Sequence, residues 1–117
     1  MGELIGVARF KFDPGQVEEY KRWCAHAMEI VQAKEPGTLE YSVFFNEDES
    51  EAVVIERFAS SEALLEHGRN MAEVSKAVLQ TGAVEGELLG DPNAEIRANL
   101  TGPEPQLFTP WLSLKPR

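Results

Sequence analysis

Basic residues are scarce in this chain of 117 residues: 11 Lys and Arg stand against 20 Asp and Glu, a net charge of −9. A nucleic-acid surface needs cations to displace counterions from phosphates, so this balance excludes that class of partner. It equally argues against docking on anionic lipid. Cysteine is down to one, Cys24, so no intrachain disulfide can form and the cytoplasm is the expected compartment. Histidine occurs twice, at His26 and His67, on different expected helices and without a Cys or His at ligand spacing. No metal site and no cofactor are therefore expected. No apolar run approaches the roughly 18 residues that a membrane helix needs, and no basic-then-apolar leader opens the chain. A Gly-rich phosphate loop and a nucleophile elbow are also missing, since "DPG" (13–15) and "EPG" (35–37) read as helix-boundary turns.

What is present is an ordinary globular composition, 43% hydrophobic and 26% charged. We expect one domain over residues 1–117, with a core at 3–90 and a C-terminal extension at 91–117. Leu4 to Phe12 alternates and reads as a strand. Asp13 is a plausible helix N-cap with Pro14 at the first helical position. Gln16 to Lys34 has helical period, with Val17, Tyr20, Trp23, Cys24, Ala27, Ile30 and Val31 on one stripe. Pro36 stops that helix and Gly37 offers positive φ. A hairpin follows from Glu35 to Ser60 around the hydrophilic turn "NEDESE". Ser60 or Ser61 can cap a second helix, whose stripe runs from Leu64 to Leu79 with a possible kink at Gly68. Ala83 to Gly90 reads as a fourth strand, Asn93 to Leu100 as a short helix capped through Asp91-Pro92, and Leu107 to Leu114 as a last strand interrupted by Pro110. The order β-α-β-β-α-β predicts an α+β, ferredoxin-like fold: two helices on one face of a four-stranded antiparallel sheet, then a C-terminal helix and strand.

The hairpin carries apolar residues on both faces. Leu39, Tyr41, Val43 and Phe45 oppose a face with Phe44, and Val54 and Phe58 oppose Val53 and Ile55. Two helices cover one face only. The second needs either another copy of the chain, sheet against sheet, or the C-terminal segment folded back over it.

The stretch "EPGTLEYSVFFNEDESEAVVIERFASSEALLEH" resembles the antibiotic biosynthesis monooxygenase domain. It does so through "EPG-x-L-x-Y" opening the second strand, "VVIERF" in the third and "S-x-E-A-L-x-x-H" opening the second helix. The tail "GDPNAEIRANLTGPEPQLFTPW" resembles an extension found in some members. The resemblance implies a homodimeric α+β barrel. It also implies activities ranging from cofactor-free oxygenation of polycyclic phenols and quinols to haem degradation, or no known activity. The haem-degrading pattern is broken here, because the first strand has no Asn and no Trp follows the third.

His67 matches the family's helix-2 histidine and lies at the flank of the helix stripe, from where its ring can lean toward the interior. It is either a packing residue at the helix flank or a base in a cavity. Glu56, set in an apolar strand, is either solvated and cross-strand paired or turned inward with a partner. Tyr41, Phe45, Phe58, Asn70 and Met71 are candidates for lining a pocket between sheet and helix. The resulting expectation is a cofactor-independent monooxygenase for a small electron-rich aromatic, with a non-catalytic binding or oligomerisation module as the alternative.

Overall fold

The computed structural model describes residues 2–114. The elements are β1 (Leu4–Phe12), α1 (Val17–Lys34), β2 (Thr38–Phe45), β3 (Glu51–Phe58), α2 (Ser61–Asn70), α3 (Ala72–Val78), β4 (Gly82–Leu89), α4 (Ala94–Asn99) and β5 (Gln106–Phe108). The sheet is open and its strand order is β2-β3-β1-β4-β5. Four strands pair antiparallel, which is the expected ferredoxin-like core. The fifth adds a parallel edge, with Leu107 opposite Leu88. The last strand therefore spans three residues rather than eight. Pro110 has no N–H to give a ladder, so pairing ends ahead of it.

Pleating assigns the faces. Leu4, Ala8 and Phe10 on β1 stand opposite Phe58, Val54 and Ala52 on β3, and all point toward the helices. Two buried clusters result on that side. Leu4, Phe58 and Leu88 pack with Ile96 of α4, while Ala27 and Val31 of α1 pack with Met71 and Val74. Each large side chain so buried contributes roughly 1.5–3 kcal/mol. The seam between the clusters holds the polar residues described below.

Local signals were met differently from the expectation at four points. "DPG" does not cap α1. It is a tight turn, with Gly15 at φ 80° and the Gln16 N–H donating to the Asp13 carbonyl. Gly37 does not use positive φ; a Cβ there would lie 2.6 Å from the Cβ of Ala63, so the glycine lets α2 approach. The second helix breaks at Met71 and not at Gly68. Met71 sits at φ −93°, ψ 4°, and its N–H still bonds to the His67 carbonyl while its own carbonyl takes the Ser75 N–H. The cap of α4 is Asn93 rather than Asp91: its Oδ1 accepts from the Ile96 N–H. The Ser60 cap on α2 is as expected, accepting from the Ala63 N–H.

Among the described residues, α4 and β5 of the C-terminal segment do not cover the second sheet face. Ile96 carries α4 onto the helix side, and β5 prolongs the sheet sideways. The outer face keeps Ile5, Val7, Val53 and Ile55 half-buried among ion pairs of Arg9 with Glu87 and Arg57 with Glu40 and Glu3. Phe44 on that face and Trp111 in the tail are 57% and 91% exposed.

Candidate active site

Three elements converge on His67. The second turn of α2 carries its ring, the end of α1 supplies Glu35, and the middle of β3 supplies Glu56. His67 Nδ1 lies 2.6 Å from Glu35 Oε1, and Nε2 lies 2.9 Å from Glu56 Oε2. The ring is buried, tilted against Phe58 at 5.1 Å and edge-on to Tyr41 at 6.1 Å between centroids. Glu35 is sealed from solvent. Its Oε2 accepts from Asn70 Nδ2 at 3.1 Å and its Oε1 from Thr38 Oγ1 at 2.8 Å.

Carboxylates accept hydrogen bonds, so an imidazole held between two of them is satisfied when both nitrogens donate. Burial opposes that charged form, but hydrogen bonding to Glu56 and its charge, then those of Glu35, outweigh burial and raise the His67 pKa. Burial likewise pushes Glu35 up. The hydrogen bonds from His67, Asn70 and Thr38, with the imidazolium charge, more than offset it and hold the carboxyl below its usual range. Both shifts favour the ion-paired form, in which the His67 ring is clamped between Glu35 behind and Glu56 in front.

Glu56 is the front member. Its side chain is 23% exposed, and its Oε1 sits 3.3 Å from where a Cβ on Gly6 would be, so the glycine leaves it room. It faces two spaces. A cleft of about 790 Å³ lies between β1, β4 and α2, floored by Phe58 and Leu88, with α4 contributing Ile96 and Asn99 to its wall. A chamber of about 250 Å³ lies deeper, between sheet, α1 and α3, lined by Phe10, Tyr20, Tyr41, Val54, Met71 and Val74 among others. Burial pushes the phenols of Tyr20 and Tyr41 upward, so both stay neutral.

Most of the sequence-predicted residues meet here. His67, Glu56, Tyr41, Phe58 and Met71 line the two spaces, and Asn70 steadies Glu35 from behind. Phe45 does not join them; it packs with Phe12 and Tyr20, centroids 6.1 Å away in each case. Sequence reasoning passed over Glu35, taking it as part of a turn. A signal was available: an acid at a helix C-terminus opposes the helix dipole and calls for a reason. The contribution of α4 to the cleft also went unread. Among the described residues no three His, Cys, Asp or Glu side chains form a metal-binding group. In the Glu35–His67–Glu56 array both ring nitrogens are taken up by the carboxylates.

The model of the antibiotic biosynthesis monooxygenase family matches residues 4–78, which hold β1 through α3 and with them all three members of the array. The chain belongs to the antibiotic biosynthesis monooxygenase family. Solved structures of similar fold extend the comparison. MupZ from Pseudomonas fluorescens is 24% identical, at a TM-score of 0.78, over 97% of this chain and 94% of its own. A protein from Caulobacter crescentus CB15 is 29% identical, with TM-score 0.67 and coverages of 74% and 87%. A variant of SnoaB, a cofactor-independent oxygenase from Streptomyces nogalater, is 19% identical, with TM-score 0.65 and coverages of 74% and 89%. No curated protein sequence matches the chain. The family match ends before β4 and α4, whereas the likeness to MupZ extends over the C-terminal segment that walls the cleft.

Proposed function

We propose that the protein is a cofactor-independent monooxygenase of a small, electron-rich aromatic, and that Glu56 is its base. The observation that carries this is the Glu35–His67–Glu56 array opening onto a largely apolar cleft through Glu56. His67 was the base expected from sequence. With both ring nitrogens engaged it is better suited to a positioning role, holding Glu56 and balancing its charge. In this scheme Glu56 takes a proton from an acidic O–H or C–H of the substrate. The anion passes an electron to dioxygen, and the radical pair combines to a peroxide. The peroxide regains the proton from Glu56 and loses water, leaving a carbonyl. One oxygen atom enters the product and the other leaves as water, with all electrons supplied by the substrate. For an activated methylene the balance is one methylene and one dioxygen giving one carbonyl and one water. Apolar walls exclude bulk water and orient the anion.

Oxygen uptake with anthrone and with hydroquinones tests the scheme. Glu56→Gln, which keeps shape and loses the base, is expected to lower kcat by about 10²–10⁴-fold. Equal rates for the two proteins would remove Glu56 from the mechanism. Saturable binding without any oxygen consumption would support the non-catalytic binding module instead. We further infer that a second copy covers the outer sheet face, because Ile5, Val7, Val53, Ile55 and Phe44 lie together there and α4 packs on the opposite side.

A further inference from the structure

The outer cleft and the inner chamber share Ala8, Glu56 and Gly68 in their walls. Gly68 is the informative member. It lies inside α2, where glycine is a poor helix former. Its backbone is not left-handed; the positive-φ glycines are Gly15 and Gly90. A Cβ at Gly68 would meet nothing within 4 Å. Neither conformation nor packing asks for glycine, and what its missing side chain leaves is open space where the two cavities adjoin.

We propose that the cleft and the chamber are two halves of one binding site for an elongated, uncharged molecule with a ring-sized end group. The ring passes Gly68 into the inner chamber and the rest of the molecule lies in the outer cleft. Its midsection then crosses Glu56, one of the three residues that both spaces share. The chamber suits a ring, because Phe10, Tyr41 and Met71 offer flat and polarizable walls. The cleft suits an uncharged body, because Glu56, Glu95 and Glu104 stand on its side of the sheet against one cation among the described residues of its wall, Arg69, while Glu85 and Glu87 turn their side chains to the outer face. An anionic substrate would be repelled by that rim. The proposal rests on the acid–base reading of Glu56 only for the place of reaction; the spanning itself is a matter of binding.

The test is a titration with 4-benzylphenol, without oxygen, followed through methyl resonances. Met71 reports the inner chamber and Leu65 the outer cleft. Both signals should shift with one common midpoint. Gly68→Leu should raise that midpoint at least about tenfold and leave the two signals no longer moving together. Gly68→Ala, which keeps the helix in any event, should raise it about threefold. A Met71 methyl unmoved at saturation, or an unchanged midpoint in folded Gly68→Leu and in Gly68→Ala, would overturn the proposal. Binding as described with no oxygen uptake would sink the oxygenase scheme and leave the two-part site standing.

Discussion

The Glu35–His67–Glu56 array makes stability depend on pH in a defined direction. His67 has a raised pKa in the fold, so its contribution is complete below the ordinary histidine value and is lost as pH climbs through the raised one. Glu35 has a lowered pKa, so its contribution is complete above the ordinary carboxylate value and is lost as pH falls through the lowered one. Stability should therefore be greatest between the two and decline on the alkaline side. Urea unfolding from about pH 5 to about pH 9 would show it, with Glu35→Gln reducing the alkaline decline. A wild-type profile flat across that range contradicts an imidazolium at His67. His67→Ala strands a sealed carboxylate and should cost about 3 kcal/mol, read from the same melts.

Glycines give opposite expectations in two elements. At the start of β4, a Cβ on Gly82 would lie 2.0 Å from the Lys11 carbonyl oxygen, with Phe12 Cα at 2.8 Å. Gly82→Ala must push the strand off β1 and should destabilise by at least about 2 kcal/mol in thermal or chemical melts. In α2, Gly68→Ala meets no neighbour and should stabilise by about 0.5–1 kcal/mol. A loss of stability at Gly68→Ala would mean the glycine serves packing after all. The contrast also shows what sequence pattern can carry. Alternation in "LIGVARFKF" and "EAVVIERF" and the helical stripe of α1 were readable because burial on a sheet or helix face leaves a period. Close approaches leave none. Gly37, Gly68 and Gly82 look alike in a string, yet one admits Ala63, one leaves open space and one seats a strand. The site was half readable for the same reason. His67 and Glu56 stand out against apolar surroundings, whereas Glu35 acquires meaning only when the turn after α1 folds beneath α2.

For the whole molecule, the outer sheet face is where the inferred pairing can be tested. Ile55 stands at its centre, opposite Val7 on one side and Ser42 on the other. Light scattering on eluted protein should give twice the chain mass for wild type, and Ile55→Glu should return the monomer by burying a charge in the contact. A monomeric wild type at high concentration would dismiss the pairing. The position of α4 has a consequence of another kind. It follows β1, β3, α2 and β4 in the chain, so it is the last helix or strand of the cleft wall to be synthesised, with only the Glu104–Pro105 loop after it. Until it emerges, Leu4, Phe58 and Leu88 lack Ile96 above them, and a nascent chain with β1 to β4 paired exposes them in an open trough. Binding competence therefore arises only once α4 has emerged from the ribosome, and a chain cut short before Ala94 would present that trough to chaperones rather than to a substrate.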